Sequence, residues 1–252
     1  MQSDSNSPSP AHVASSTNSN LNSRLLIPRS QRRRFFFQFT FMTVLGWVVG
    51  GITSIALERI ILASLASAVA SQPQIWSIII RLLSTMVFAI VFSADQALIV
   101  RRYLFGCRWM LATSAGWLIA SSVATAWITY IASIAASLNE ALTPEVSAIL
   151  GFLSTISYII SGIWLGLFQW LVLRRYTAGA WWWNFLPSIS FFCISLLIWL
   201  LSFGQNLIPE VNRTAILYWS EQGFTAVILG VIPAIGLCTL KRNPQRQTDI
   251  SS

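Results

Sequence analysis

The chain has 252 residues, of which 55% are hydrophobic and only 10% charged, and it carries a formal net charge of +8. Soluble globular domains carry about 25% charged residues, so this composition excludes a soluble enzyme or binding module as the class. The positive balance does not indicate a nucleic-acid partner either, because the basic residues sit at the ends of apolar runs and not on one polar face.

Residues 1–23 are rich in Ser, Asn and Pro with almost no large apolar side chains, which predicts a disordered polar tail. The first apolar run starts at Phe35, directly after Arg32-Arg33-Arg34. At 23 residues it is too long for the core of a cleavable signal peptide, so an uncleaved anchor is expected. A bilayer core ~30 Å thick takes about 20 apolar residues of helix. The charge-free stretches 35–57, 60–80, 111–139, 146–173, 176–209 and 222–240 approach or exceed that length.

They predict an all-α integral membrane protein with six transmembrane helices. The first spans 35–57 and continues outside the core toward Ser71, where Gln72-Pro73-Gln74 breaks the chain. The others span 75–100, 109–136, 147–173, 181–203 and 214–240, with a turn from Asn139 to Pro144 and a loop from Gly204 to Pro209. Pro187 is tolerated near the start of the fifth helix, and Pro233 inside the sixth should kink it. Residues 24–242 thus form a single six-helix membrane domain, and 243–252 a polar C-terminal tail.

The segment Gln96-Ala97-Leu98-Ile99-Val100-Arg101-Arg102-Tyr103 returns as Gln169-Trp170-Leu171-Val172-Leu173-Arg174-Arg175-Tyr176. A worn third copy reads Gly236-Leu237-Cys238-Thr239-Leu240-Lys241-Arg242. The odd-numbered helices repeat too: Thr43-Val44-Leu45-Gly46-Trp47 matches Thr113-Ser114-Ala115-Gly116-Trp117, while the fifth helix has lost the Gly-Trp pair near Ile189-Ser190. The chain therefore reads as three tandem two-helix repeats, 35–100, 109–173 and 181–240. An even number of helices per unit gives all three the same orientation, a pseudo-threefold arrangement about the membrane normal.

Thirteen of the sixteen basic residues fall before the first helix, in the turns after the second and fourth, or after the sixth. Arg59, Arg81 and Arg213 belong to the opposite side, together with Glu58, Glu140, Glu145, Glu210 and Glu221. With loops this short the positive-inside rule places both termini in the cytoplasm. The pairs Arg101–Arg102, Arg174–Arg175 and Lys241–Arg242 then form a basic inner rim that meets anionic headgroups, each charge contributing ~1 kcal/mol near the surface. Trp109 and Trp181 to Trp183 are expected in the inner aromatic belt, Trp76 and Trp219 in the outer one.

Helices in lipid approach each other through small residues. Gly46-x-x-x-Gly50 and Gly116-x-x-x-Ala120 match between the first and third helices, and Gly162-x-x-x-Gly166 of the fourth matches Ala89-x-x-x-Ser93 of the second; this recurrence predicts helix contact faces. Few polar residues remain as candidates for chemistry. Asp95 lies about 7 Å deep from Val100 at the ordinary helical rise, and its repeat counterpart is Phe168, so it is not part of the repeat scaffold. An acid at that depth is a functional candidate, or else a carboxylate that turns to the inner arginines. Gln96 and Gln169 are repeat-equivalent, and each should make an interhelical hydrogen bond that fixes register, with a polar ring around a cavity as the alternative. Arg81 lies about 21 Å along the helix from Asp95, too far to pair, and can snorkel outward.

No catalytic set is visible. The only histidine, His12, lies in the polar tail, no carboxylate pair sits on one helix to hold a metal, and no glycine-rich phosphate loop follows a strand. No cofactor, metal or enzymatic activity is expected. Cys107, Cys193 and Cys238 share no outer loop and read as small buried residues, not disulfide partners. Three two-helix repeats also build the mitochondrial carriers, but their Pro-x-[Asp/Glu]-x-x-[Lys/Arg] signature is absent.

The stretch Gly166-Leu167-Phe168-Gln169-Trp170-Leu171-Val172-Leu173-Arg174-Arg175, with a Trp eight positions after its first arginine, resembles uncharacterised multi-pass membrane proteins of cyanobacteria and related bacteria. The resemblance covers residues 32–242. It implies no activity, and it implies a bacterial inner (plasma) or thylakoid-type membrane. The expected function is a non-enzymatic interaction or assembly subunit, with other membrane proteins or a second copy of the chain as partners. The alternative is a small-solute or cation transporter or channel using Asp95. A bundle centre filled by Trp, Phe and Leu favours the first, and a polar cavity reaching Asp95 the second.

Overall fold

The structure, a computed structural model, describes residues 25–137, 144–204 and 209–243. The expected tails, most of the Asn139 to Pro144 turn and most of the Gly204 to Pro209 loop lie outside the described residues. Six long helices account for nearly all of the rest: α1 (Arg32–Ser64), α2 (Pro73–Val100), α3 (Gly106–Ser137), α4 (Pro144–Leu173), α5 (Leu186–Gly204) and α6 (Glu210–Thr239). Each is long and apolar enough to cross a membrane, and the chain is an all-α multi-pass integral membrane protein.

The helix starts follow local chemistry. Pro73 occupies the first turn of α2, where its missing N–H costs nothing, and Pro209 caps α6. Beyond α1 the chain continues as a short helix, Ala66–Ser71, before that proline. The fifth span differs from the sequence expectation: Ala180–Phe185 is a 3-10 helix, and the α-helix begins only at Leu186. Pro187 supplies the reason, since its ring is accommodated only in a first turn. Gly179, at φ 68°, makes the left-handed turn that leads into the 3-10 segment. α6 is continuous through Pro233.

Each helix packs on its sequence neighbour, α1 on α2, α2 on α3, α3 on α4, α4 on α5 and α5 on α6, and α6 returns onto α1. The result is a closed ring of six. Its packing is uneven along the axis. Buried side chains gather in the half that carries the basic pairs, from Ala89 to Val100, Trp109 to Ala124, Ser161 to Leu173, Trp183 to Ile194 and Thr225 to Leu240, while the opposite half is mostly exposed apart from Ile80 and Ile131.

A small β-clasp ties the chain ends together at the basic end. β1 (Thr177–Ala178) pairs antiparallel with β2 (Lys241–Arg242), and Leu25 forms a bridge to Lys241. The Leu26 N–H donates to the Leu240 carbonyl at 2.9 Å, and the Asn243 N–H to that of Tyr176 at 2.9 Å. The approach to α1, the α4–α5 turn and the exit from α6 are thereby held at one end. Leu26 and Ile27 fold under the clasp into a buried cluster with Phe35, Phe39, Trp109, Leu173, Trp183 and Leu237.

Candidate functional site

Gln96 and Gln169 stand one turn inside the basic end, 3% and 4% exposed. A buried primary amide needs partners for both its oxygen and its nitrogen. The Trp109 indole N–H donates to Gln96 Oε1 at 3.4 Å, and that of Trp183 to Gln169 Oε1 at 3.0 Å. Gln169 Nε2 donates onward to Thr113 Oγ1 at 3.2 Å. The two indoles meet edge to face with centroids 6.0 Å apart, so both glutamines belong to one buried layer spanning α2, α3, α4 and the 3-10 segment. No polar ring around a cavity is formed by them.

This layer corrects the reading of the tryptophans. Trp109 and Trp183 are fully buried, not members of an interfacial belt, because an indole with a buried acceptor gains more inside than at the headgroups. Only Trp181 of the trio is exposed. It is Trp183, and not Trp182 at 73 residues from Trp109, that bonds a glutamine as Trp109 does.

The small residues sit at close seams. A side-chain carbon on Gly46 would fall 2.9 Å from Asp95 Oδ2 and 3.3 Å from Phe92 Cα, and one on Gly50 would fall 3.1 Å from the Phe88 ring. One on Gly116 would fall 3.0 Å from Leu165 Cα and 3.1 Å from Phe168 Cβ. Leu165 and Phe168 each follow Phe92 and Asp95 by 73 residues, the spacing of Gln96 and Gln169. Ala120 is buried against the same seam region. Gly162 and Gly166 face a different neighbour. A side-chain carbon on Gly162 would fall 2.8 Å from the Ser188 backbone, and one on Gly166 would collide with the Asn184 carbonyl. Gly230, which the sequence motifs did not single out, packs against Thr40 where α6 meets α1.

Asp95 is half-buried in the α1–α2 seam over Gly46. Among the described residues it has no basic partner, Arg101 and Arg102 included. It also lines none of the described cavities. The basic rim residues Arg101, Arg102, Arg174, Arg175, Lys241 and Arg242 are all exposed, and the Arg174 guanidinium lies over the Trp170 ring at 5.4 Å. Tyr103, in the turn after α2, donates to Gln31 Oε1 at 2.9 Å.

Toward mid-depth the odd helices meet across the ring. Trp47 of α1 packs on Trp117 of α3 with centroids 5.9 Å apart, and Trp117 on Phe191 of α5 at 6.2 Å. Phe88 and Phe92 of α2 and Tyr158 of α4 fill in around them. The Trp47 indole N–H donates to Gln222 Oε1 of α6 at 3.1 Å. Phe191 of α5 meets Trp117 from one side as Trp47 of α1 does from another, although the fifth helix lacks a Gly-Trp pair. These rings form an aromatic plug.

Among the described residues, no three His, Cys, Asp or Glu side chains come together. The cysteines are free, and Cys107 is exposed, contrary to the expectation of a buried residue. This end of the molecule holds its own helices together through the glutamine–indole layer and presents a cationic rim. Two signals for the buried layer were present in the sequence, the spacing from Gln96 to Trp109 and that from Gln169 to Trp183. Compared with known protein families, curated proteins and solved structures, the chain matches none.

Proposed function

We propose that the protein is a non-enzymatic interaction or assembly subunit of a bacterial inner or thylakoid-type membrane, built from three like-oriented hairpins with both termini cytoplasmic. The observation that carries this reading is the contact from Trp47 through Trp117 to Phe191 across the ring centre. A transport path along the axis has to pass this plug, where the Gln222 amide oxygen is engaged by the Trp47 indole and the packed rings around it do little to replace an ion's hydration. The equal spacing of the Gly46 and Gly116 contacts supports the repeat. The clasp supports a common side for the two ends of the membrane domain, and the positive-inside bias makes that side cytoplasmic.

The partners on this reading are anionic headgroups at the rim and other membrane proteins or a second copy against the lipid-facing helix surfaces. One observation favours the second reading, a cation transporter or channel: Asp95 has no basic partner among the described residues. Reconstitution decides between them. Purified protein in vesicles with an imposed potential and a pH-sensitive dye should pass no protons or alkali cations, and in mild detergent it should run as a complex of fixed stoichiometry. Wild-type flux that disappears in Asp95→Asn would replace the assembly reading with transport. Cysteine labelling at Ser3, Asn139 and Ser251 tests the topology, with Ser3 and Ser251 protected from an external reagent and Asn139 open to it.

A further inference from the structure

α2 and α3 are pinned near the basic end, where the Ser93 and Ser114 hydroxyls meet at 2.6 Å and Ser114 Oγ also reaches the Ala89 carbonyl at 3.2 Å. From there a groove of about 660 Å³ lies between the two helices toward the opposite end. Its lining is mostly apolar, with polar side chains on both helices. Ser77, Arg81 and Thr85 recur at i, i+4 and i+8 on α2, and Ser122, Thr125 and Thr129 line the facing side of α3. Apolar Ile78, Leu82, Leu118 and Ala126 lie between them.

The hydroxyls divide into two kinds. Ser77 and Thr85 donate back to their own helix, to the Gln74 and Arg81 carbonyls. Ser122, Thr125 and Thr129 make no hydrogen bond among the described residues, so their donors are open to the groove. Arg81 lies 19 residues from Val100, about 28 Å at the helical rise, which is the depth of the far hydrocarbon boundary. Its other side faces a second cavity of about 250 Å³ that it shares with Ser77, where Glu58 of α1 is the carboxylate in the wall. The repeat offers an internal comparison. The positions 73 residues after Ser77, Arg81 and Thr85 are Leu150, Ser154 and Tyr158, so the cation is an addition at one seam and not a by-product of hairpin packing.

We propose that this groove binds one phospholipid of the far leaflet that carries an ammonium headgroup. Its phosphodiester rests on Arg81 and the open hydroxyls of α3. Its ammonium turns to Glu58, and an acyl chain runs inward past Leu82 and Leu118. A phosphodiester supplies the acceptors that a guanidinium and free hydroxyls lack here, and Glu58 disfavours a headgroup of net negative charge. The site does not depend on whether the protein assembles or transports.

Native mass spectrometry of the full chain in detergent tests this, with phosphatidylethanolamine, phosphatidylglycerol or diacylglycerol added. Wild type should retain one phosphatidylethanolamine in preference to the other two, and added inorganic phosphate should not displace it. In Arg81→Gln that occupancy should fall about tenfold, the order for losing one hydrogen-bonded charge. Arg81→Lys should keep most of it, and Glu58→Gln should keep the lipid but lose the preference over phosphatidylglycerol. Ser122→Ala with Thr125→Val gives a second route that leaves the charge in place, and it should also lower occupancy. Equal retention in wild type and in both the Arg81→Gln and the hydroxyl variants would overturn the proposal. So would retention of diacylglycerol or phosphatidylglycerol as strong as that of phosphatidylethanolamine, or displacement by free phosphate.

Discussion

The Trp183 indole N–H donates to the Gln169 side-chain oxygen at 3.0 Å, and both residues are buried at the point where α4 meets the 3-10 segment that leads into α5. Gln169 passes the connection on to Thr113 of α3. One amide thus fixes the register of three elements, and its oxygen is the acceptor that the Trp183 indole has among the described residues.

Gln169→Leu should therefore cost more than its change in volume implies. A buried donor left unpaired costs about 1–3 kcal/mol, while hydrogen bonds between membrane helices average ~0.6 kcal/mol with a maximum near 1.7. The expected loss is about 1–2 kcal/mol, read as thermal unfolding in detergent. Gln96→Leu should lose less, because its contact with Trp109 is longer, at 3.4 Å. A double-mutant cycle of Gln169→Leu and Trp183→Phe should show positive coupling, and strict additivity would mean that the bond contributes nothing.

The glycines order themselves by what they touch. A side-chain carbon on Gly166 would collide with the Asn184 backbone carbonyl and one on Gly162 with the Ser188 backbone, whereas one on Gly46 would first meet the tip of a side chain, Asp95 Oδ2 at 2.9 Å. Backbone cannot turn aside as a carboxylate can. Gly166→Ala should destabilise by at least the 1–3 kcal/mol typical of overpacking, Gly162→Ala by a similar amount, and Gly46→Ala by less. Gly151 and Gly223 have nothing within 4 Å, so alanine there should be neutral or stabilising, as in any open helix interior. Melting temperatures of the five variants in one detergent check the order.

The clasp and its plug give a third test. Ile27 is fully buried beneath the β1–β2 pair although it precedes the first helix. Ile27→Ala should cost about 2–5 kcal/mol, the range for large-to-small changes in a packed core. Limited proteolysis should then cut first near the α4–α5 turn, where the clasp is anchored. A variant as resistant as wild type would mean that the clasp is dispensable.

The six helices were legible in the sequence because each spanning element needs its own apolar run, and so were the close approaches at Gly46, Gly116 and Gly162, because close approach in lipid selects residue size. The clasp was not. Leu25-Leu26-Ile27 is too short to register against the 23-residue run that follows it, and β1 and β2 have two residues each, with pairing set by partners more than sixty positions away. The burial of Trp109 and Trp183 was hidden for a different reason. Tryptophan near a basic pair suits both an interfacial belt and a buried bond to glutamine, and only the packing that brings Gln96 and Gln169 against the two indoles decides which. The groove at Arg81 has no sequence signal, since its facing hydroxyls on α3 lie more than forty residues further along the chain.

Asp95 remains the sharpest single probe of function. Its carboxylate lies over Gly46 in the α1–α2 seam, without the inner arginines that would explain it as a structural ion pair. Removing a charge that has no partner leaves no counter-charge stranded, so the usual penalty for breaking a buried pair does not arise. Asp95→Asn should keep wild-type expression and melt within about 0.5 kcal/mol of wild type, as substitutions away from specific partners do. Asp95 stands five residues from Val100, about 7 Å from the basic end at the helical rise. On the assembly reading, vesicles holding either form pass no ions. The variant should lose a bound subunit only if that partner brings a cation to the seam. Retained assembly together with a wild-type flux abolished by Asp95→Asn would make the residue a transport group and overturn the reading carried by Trp47, Trp117 and Phe191.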